Sequence, residues 1–338
     1  MPSRSPHRRR TINDVAREAG VSRGTVSRVL NGGHWVSPAA LEAVNRAIKK
    51  TGYRVNPHAR NLVTRRANSV AFLLTESHER LFDDPNFSIL IRGASHELAE
   101  HDIPLVLIMA GTEAEQWRAT DFITGGYVDG VLLVSSHRSP HSFMEEIVRS
   151  RIPAISCGVP LGFEKKIGYV TADDAGGARE MVAYLQQKGR KRIATITGPM
   201  DMSGGIGRLE GYRTQLGDSF DSSLVEHGDY TRESGARAME ALLARAPELD
   251  AVFAANDLMA AGAIDMLRAR GCRIPEDVAV GGFDDSPVAA SCEPPLTTIR
   301  QPLARISAEM VRLLLEVIDG QSAAAITLPT ELVVRASA

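Results

Sequence analysis

The stretch Thr11–Asn31, TINDVAREAGVSRGTVSRVLN, predicts two short helices joined by a tight turn. In the first helix, Val15 and Ala16 belong to an apolar face with helical spacing. Gly20 follows at the point where a helix end needs a residue that tolerates a left-handed backbone. Ser22 is suited to cap the next helix, because its hydroxyl can accept from an otherwise unpaired amide.

The second helix has one apolar side and one side rich in hydrogen-bond donors. Val26, Val29 and Leu30 form the apolar side. A helix, a glycine turn and a helix that presents donors to solvent are the layout of a helix-turn-helix DNA reader. From the pattern alone, a small solvated helical hairpin is the alternative. The donors are carried by Arg23, Thr25, Ser27 and Arg28.

The distribution of charge favours the DNA reader. Residues 1–66 contain 14 Lys and Arg but only three acids, a net charge of +11. The whole chain has 39 basic and 41 acidic residues, so residues 67–338 carry a net charge of −13. A basic segment is attracted to the phosphates of nucleic acid, and an acidic remainder is repelled by them.

Composition excludes several other classes of protein. A chain of 338 residues with 43% hydrophobic and 24% charged residues is typical of a soluble protein with at least two cores. No apolar run approaches the roughly 18 residues of a membrane span, and no apolar segment follows the basic N-terminus as it would in a secretory signal. Three scattered cysteines have no metal-type spacing. We therefore expect a cytoplasmic protein with no membrane, metal or cofactor site.

The head continues with a third helix. Ser37-Pro38 is a helix start signal, and the core face of the helix is expected at Leu41, Val44, Ala47 and Ile48. We predict a basic disordered arm over residues 1–10, a helix-turn-helix domain over residues 11–54 and a linker over residues 55–67. The linker has little apolar face of its own, so it is expected to order only against DNA or a partner copy.

From Ser69 onward, short apolar runs alternate with amphipathic helices, which predicts parallel sheets covered on both faces. There are too many strands for one small sheet, and the loop at Lys165–Gly168 is expected to separate two sets. We predict two doubly wound subdomains with a ligand at the carboxyl ends of their strands. The predicted helices lie near residues 86–101, 113–125, 173–189, 203–217, 231–246 and 257–270.

The whole pattern resembles the LacI/GalR family of bacterial repressors. In the head, the resemblance rests on Thr11–Asn31, Val36-Ser37, Gly52-Tyr53 and Leu62. In the body it rests on DPNFSILIRG (84–93), DGVLLV (129–134), GRLEGY (207–212), ANDLMAAGA (255–263), GGFDDSP (281–287) and PPLTTIRQP (294–302).

The resemblance implies a periplasmic-binding-protein-like body over residues 68–338, which holds the effector and forms a dimer. One subdomain would comprise residues of about 68–170 and 300–329, and the other about 171–299 and 330–338. The chain has no trailing leucine heptad, so we expect a homodimer rather than a tetramer.

For operator DNA, the resemblance places Arg23 and Gly24 at the opening of the recognition helix and Arg28 further along it. An arginine can pair bidentately with guanine, and Gly24 would permit close approach. Leu62 of a hinge helix would insert into the minor groove of a palindromic site. Phosphate contacts are assigned to Ser22, Thr25, Ser27 and Asn31. The further DNA-binding candidates are Thr11, Ser37, Asn56, His58 and Ala59.

For the effector, the resemblance assigns Arg208, Asn256 and Asp284 as polar contacts and Tyr230 as a stacking partner. Asp284 can accept from vicinal hydroxyls, and Arg208 and Asn256 can donate, which suits a mono- or disaccharide. A purine acting as co-repressor is the alternative within the family. Further candidates are Phe82, Asp84, Ser135 and Gln301.

Other functions find less support in the sequence. A nucleotide-dependent enzyme is disfavoured because neither G-x-G-x-x-G after a first strand nor G-x-x-x-x-G-K-[ST] occurs, and no catalytic residue is predicted. A pure sugar-binding protein is disfavoured by the basic head. His137 and His141 of HRSPH lie in a predicted loop, where we expect solvated side chains.

Overall fold

The computed structural model describes residues 10–30, 35–53, 66–138 and 143–338. The chain divides into two compact units, Met1–Ala67 and Asn68–Ala338, here called the head and the body. Residues 1–9 of the predicted arm, residue 54 of the predicted helix-turn-helix domain and residues 55–65 of the predicted linker lie outside the described residues.

The head contains the three predicted helices, α1 (Ile12–Ala19), α2 (Arg23–Leu30) and α3 (Pro38–Thr51). Gly20 ends α1 with a φ of 66°, in the left-handed region that the turn requires. Ser37 caps α3, because its hydroxyl accepts from the Ala40 amide at 3.3 Å. The turn and the cap therefore follow directly from the local sequence.

The head core is smaller than the spacing on α3 predicts. It is built on Val15, Ala16, Val26, Val44 and Ala47. Leu41 was expected in this core, but it is 38% exposed. The reason is length: α3 spans about 21 Å, whereas the eight-residue helices α1 and α2 span about 12 Å each and cannot cover all of it.

The body alternates strands and helices along its whole length. Its elements are β1 (Val70–Leu74), α4 (His78–Asp83), α5 (Pro85–Ala99), β2 (Leu105–Met109), α6 (Glu113–Phe122), β3 (Gly130–Val134), α7 (Phe143–Ser150), β4 (Ala154–Cys157), β5 (Gly168–Ala172), α8 (Asp174–Gln187), β6 (Ile193–Thr197), α9 (Ser203–Leu216), β7 (Val225–His227), α10 (Arg232–Arg245), β8 (Ala251–Ala254), α11 (Asp257–Ala269), β9 (Ala279–Asp284), α12 (Pro287–Ser291), β10 (Thr297–Arg300), α13 (Leu303–Ile318), β11 (Ala325–Leu328) and β12 (Glu331–Val333). A π-helical turn, Ile123–Tyr127, extends α6, and 3₁₀ turns occupy Gly217–Ser219 and Ser222–Leu224.

Two six-stranded sheets form the body, with orders β11-β5-β4-β3-β1-β2 and β12-β10-β9-β8-β6-β7. All pairs are parallel except β10 with β12. Five strands of each sheet follow the same doubly wound order. The order in which the chain adds strands to the sheet reverses between β1 and β3 in one sheet and between β6 and β8 in the other. Ligands bind at the carboxyl ends of strands beside such reversals.

The loop at Lys165–Gly168 does not separate the two sets of strands, as the sequence had suggested. It leads into β5, which pairs with β4 in the same sheet. The polar composition of the loop resembles a linker, but composition cannot tell which sheet the next strand joins. The chain instead passes between the sheets after Ala172, after Arg300 and between Leu328 and Glu331.

The sequence prediction also missed helix α13. Its apolar residues recur at helical spacing and pack on the first sheet, with Leu303, Ile306, Met310 and Leu314 in the core. Because α13 follows Arg300 of the second sheet and covers the first, it carries the chain from one subdomain to the other. Among the described residues, no helix is both long enough and apolar enough to cross a membrane.

The exposure of Leu41 predicts that truncating the smaller Val44 destabilises the head more than truncating the larger Leu41. Val44 is fully buried, so Val44→Ala should lower the free energy of opening of the head by about 1–3 kcal/mol. Leu41→Ala removes more carbon but should cost less than about 1 kcal/mol, because the side chain already meets solvent. Hydrogen exchange of the α1 and α3 amides in the full-length protein measures both. A larger effect from Leu41→Ala would contradict this core.

Candidate effector site and DNA-reading head

The helix α2 presents its polar side to solvent, as predicted. Arg23, Gly24 and Arg28 are exposed, and Thr25 and Ser27 are half-buried. Val26 is fully buried beneath them and fixes α2 against the head core. The two guanidinium groups therefore project from a helix whose rotation is set by its apolar side.

Three of the predicted DNA-binding residues hold helix ends within the head. The Ser22 hydroxyl accepts from the Thr25 amide at 3.1 Å and lies 2.9 Å from the Thr25 hydroxyl. Thr11 donates from its amide and its hydroxyl to Asp14, each at 2.9 Å. Ser37 caps α3, as described above. Asn31, Asn56, His58, Ala59 and Leu62 lie outside the described residues.

The body contains a chamber at the carboxyl ends of the strands, lined by residues of both subdomains. We call it the inner chamber. The empty space there, counted together with the open solvent at its mouth, is about 760 Å³. It lies where the doubly wound topology predicts a ligand. Its polar lining includes Arg80, Asp84, Asn86, Ser135, Asp174, Arg208, Tyr230, Asn256, Asp284 and Gln301.

A buried arginine organises this chamber. Arg208 donates from Nε to Asp174 Oδ1 at 2.8 Å, and its Nη1 lies 3.5 Å from Asp284 Oδ1. Nη1 also donates to the backbone carbonyl of Ala255. Burial alone would lower the pKa of Arg208, but Asp174, Tyr230 and Asp284 raise it. The guanidinium is therefore a permanent cation inside the chamber.

Asp284, at the end of β9, joins the two subdomains. Its Oδ2 accepts from Asn86 Nδ2 at 2.7 Å, and its Oδ1 accepts from Gln301 Nε2 at 2.6 Å. Asn86 belongs to α5 of the first subdomain, so this contact crosses the cleft. Burial raises the pKa of Asp284 to about 7, against the opposing effect of Arg208 and with a further contribution from Asp84.

Tyr230 lies between two arginines rather than against open space. Its ring centroid is 5.1 Å from the Arg80 guanidinium carbon and 5.9 Å from that of Arg208. Both distances are within the range of cation–π attraction. Arg80 comes from α4 in the first subdomain, so this contact also crosses the cleft. The predicted stacking residue thus forms part of the chamber wall.

Asn256 lines the chamber, but its polar groups are engaged with backbone. Its Oδ1 accepts from the Met259 amide at 2.9 Å and so caps α11. Its Nδ2 donates to the Tyr230 carbonyl at 3.0 Å. Asn256 thus positions Tyr230 and starts α11. Its expected donation to the effector stays a prediction, because Nδ2 carries a second proton. An asparagine directly before a helix is a good N-cap, which is why both functions fall on one residue.

The remaining candidates separate into three that line the chamber and one that does not. Asp84, Ser135 and Gln301 all line it. Phe82 is 79% exposed and is absent from the described lining. On α4, Arg80 and Asp84 are four residues apart and share one face, so Phe82 between them points to the opposite side.

Sequence reasoning missed Arg80, Asn86 and Asp174. Asn86 lies within the DPNF motif. Asp174 starts the helix that follows β5, so its position after a strand end was an available signal. Arg80 had no comparable signal, because only the fold of α4 turns it into the cleft. Its Nη1 donates to Glu76 Oε1 at 2.6 Å.

A second chamber opens beside the first, and we call it the outer chamber. The empty space there, counted together with the open solvent, is about 1400 Å³. Arg80, Asp84 and Tyr230 line both chambers. His137, expected to be solvated, lines the outer chamber and contacts Glu76 and Asp201. His137 is held by Asp201, which follows β6 in the other subdomain. The sequence cannot reveal that these two residues lie close together.

Comparison with known proteins places this geometry in a family. The profile of bacterial regulatory proteins of the lacI family matches residues 11–56, and that of the periplasmic binding protein-like domain matches residues 182–338. The HTH-type transcriptional regulator CelR of Thermobifida fusca is 46% identical over 336 residues, covering 98% of both chains. The chain belongs to the LacI family. It is a DNA-binding transcriptional regulator with a periplasmic-binding-protein-like body.

Other LacI-family members agree with this assignment. The HTH-type transcriptional repressor CytR of Escherichia coli K12 is 34% identical, covering 92% of this chain and 90% of CytR. The solved CelR–cellobiose complex has a TM-score of 0.79 at 43% identity, covering 98% of this chain and all of that one. A lac repressor dimer bound to operator and the anti-inducer ONPF has a TM-score of 0.85 at 27% identity, covering 97% of this chain and 98% of the lac repressor chain.

The contacts of Asn256 predict a structural effect that does not depend on any ligand. Asn256→Ala removes the cap of α11 and should lower the free energy of unfolding by about 1–2 kcal/mol. Asn256→Asp keeps an acceptor for the Met259 amide, so it should retain more stability while losing the bond to Tyr230. Urea unfolding of the ligand-free protein compares the two. Equal stability of Asn256→Ala and wild type would contradict the capping role.

Proposed function

We propose that this LacI-family regulator is a repressor of carbohydrate uptake or catabolism genes, released from its operator by a sugar in the inner chamber. It acts in the cytoplasm and regulates by binding rather than by catalysis. The observation that carries the proposal is the polar chamber between the subdomains, with Arg208 and Asp284 facing each other inside it.

Two unsatisfied polar atoms support a polyhydroxylated ligand. Arg80 Nε and Asn86 Oδ1 are buried and have no hydrogen-bond partner among the described residues. A buried polar atom without a partner is costly, so a site that leaves two of them is suited to a ligand that supplies partners. A sugar hydroxyl both donates and accepts, and it therefore matches a free donor and a free acceptor in one chamber.

The effector we propose is a disaccharide of the cellobiose type. The inner and outer chambers share Arg80, Asp84 and Tyr230, so a ligand of two rings can extend from one chamber into the other. The 46% identity to CelR, whose solved complex contains cellobiose, supports the same class. A purine co-repressor is the alternative, because the same carboxylate and guanidinium can also pair with a base.

DNA reading is proposed to follow the sequence assignments. Arg23 and Arg28 of α2 read base edges, and Gly24 allows the helix to approach closely. Leu62 inserts at the centre of a palindromic operator, which requires a homodimer. The boundaries proposed from the sequence, a head over 11–54 and a hinge over 55–67, give the segments that would act in this way. Backbone contacts are proposed for Thr11, Ser22, Thr25, Ser27, Asn31, Ser37, Asn56, His58 and Ala59.

The effector acts by binding two arrangements of the subdomains unequally. Asn86–Asp284 and Arg80–Tyr230 join the subdomains across the chamber, so a ligand inserted there changes the contacts that set their relative position. Only the difference in affinity between the arrangements shifts the population of the operator-binding form. The sugar therefore lowers operator affinity to the extent that it prefers the other form.

The effector proposal is tested by thermal unfolding of the full-length protein with cellobiose. Cellobiose at a hundred times its Kd should stabilise the wild type by about 2.7 kcal/mol, a rise in Tm of several degrees. Asp284→Asn should lose this rise, because Asp284 is a buried member of the chamber. The matched control is Asp285→Asn, since the neighbouring carboxylate pairs with Arg300 and Arg335 and is not among the lining residues described.

Three outcomes separate the alternatives. A rise with cellobiose that survives in Asp284→Asn would place the sugar elsewhere. A rise with guanine or hypoxanthine and none with mono- or disaccharides would replace the proposal with purine co-repression. Stabilisation of the wild type and of Asp285→Asn, with loss in Asp284→Asn, is the expected result.

The DNA proposal is tested on a duplex selected from a random pool by the wild type. Arg28→Ala should weaken binding to this duplex by about 1–3 kcal/mol and leave binding to unrelated duplex nearly unchanged. The control is Arg17→Ala, an exposed arginine on α1 that should not change the preference between the two duplexes. Fluorescence anisotropy at fixed salt measures the affinities of all three proteins for both duplexes. An unchanged preference in Arg28→Ala would remove it from base readout.

A further inference from the structure

His137 occupies a bridging position at the mouth of the cleft. It follows β3 in the first subdomain, whereas Asp201 follows β6 in the second. The His137 Nδ1 lies 2.9 Å from Asp201 Oδ2, and the next residue, Arg138, donates its amide to the Asp201 carbonyl at 2.9 Å. Two bonds therefore join the same two loops across the cleft.

The other side of the ring also meets a carboxylate. The His137 Nε2 lies 3.2 Å from Glu76 Oε1, and Glu76 is buried. Both ring nitrogens thus face oxygens that accept hydrogen bonds but, when ionised, cannot donate them. A neutral imidazole donates from one nitrogen only, and the imidazolium donates from both. His137 can therefore donate to both carboxylates at once only when the ring is protonated.

Glu76 connects this bridge to the effector chambers. The same Oε1 that faces His137 accepts from Arg80 Nη1 at 2.6 Å. Arg80 in turn lies over the ring of Tyr230 in the second subdomain and lines both chambers. A continuous set of contacts thus runs from Asp201 through His137 and Glu76 to the residue between the two chambers.

We propose that His137 is a positioning residue that latches the cleft: as an imidazolium it bridges Glu76 and Asp201, holds the subdomains together at the mouth, and fixes Glu76 where it orients Arg80 for the effector. The latch concerns closure itself. The latch therefore does not depend on the identity of the sugar, and it can be tested in the ligand-free protein.

The charges around the ring set the direction of the pH dependence. The hydrogen bond to Glu76 raises the pKa of His137, burial opposes this, and Asp201 raises it further. A pKa that is higher in the closed form than in the open form stabilises closure at low pH, and this stabilisation is lost as pH rises through the closed-form value. Arg138 is the adjacent cation, and the other charged side chains of the outer chamber are Arg80, Glu79, Asp83, Asp84, Asp229, Arg232 and Glu233.

The test measures the distance between two spin labels in the full-length, ligand-free protein from pH 5.5 to 8.5. One label is placed at the exposed Phe82→Cys on α4, and the other at the exposed Ala241→Cys on α10. Cys272 and Cys292 are replaced by serine. Cys157, which is half-buried and lines the inner chamber, is replaced by serine as well.

In the wild type, the population with the shorter distance should fall as pH rises through the pKa of His137. The ratio of closed to open forms should change by about tenfold for each unit by which the closed-form pKa exceeds the open-form pKa. His137→Gln and Asp201→Asn should flatten this profile, and His101→Gln, at an exposed histidine, should not. Asp284 also titrates near neutral pH and contacts Asn86 across the cleft, so only the difference between wild type and His137→Gln is assigned to the latch.

Superimposable profiles for wild type and His137→Gln would overturn the latch. A second arm measures the Kd of cellobiose over the same pH range, where the wild type should bind more weakly at high pH and His137→Gln should lose that dependence. Absence of cellobiose binding in every variant would count against the effector proposal alone, because the label distances still decide the latch.

Discussion

The buried positive charge of Arg208 is the constraint on which the cleft depends. An arginine removed from water must be matched by carboxylates in good geometry, and breaking such a buried pair typically costs about 3–5 kcal/mol. Asp174 at the start of α8 and Asp284 at the end of β9 supply the match. Arg208 lies on α9, so pairing its charge with Asp174 and Asp284 fixes where α8, α9 and β9 meet. Asn86 and Gln301 then bond to Asp284, which ties the first subdomain and a crossover to the same charge.

Regulation by a ligand requires that such a centre be shared between moving parts. The contacts described across the cleft are polar: Asn86 with Asp284, Arg80 with Tyr230, and His137 and Arg138 with Asp201. Polar contacts of this kind exchange readily for contacts with a ligand or with water, whereas the aliphatic cores on each sheet do not. The two subdomains therefore remain intact while their relative position depends on what occupies the chambers and on the charge of His137.

The separation of charge along the chain divides its tasks in the same way. A head with a net charge of +11 is attracted to any duplex, and a body with a net charge of −13 is repelled by it. In the readout that we propose, specificity comes from the short donor face of α2, whose orientation depends on the burial of Val26. Affinity for DNA would then be a property of composition, while sequence preference would depend on the packing of one small helix.

The sequence by itself determined the three head helices, most strands and helices of the body, and the fold class, because these depend on local periodicity, caps and turn residues in neighbouring positions. The resemblance of whole motifs implied the family and the candidate site residues Arg208, Asp284, Tyr230 and Gln301. Only the tertiary structure decided that β5 belongs to the first sheet, that Phe82 points away from the chamber, that Asn256 holds Tyr230, and that Arg80 and His137 reach across the cleft. Each of these depends on contacts between residues far apart in the chain, such as Asn86 and Asp284, and no local pattern records which distant residue a side chain meets.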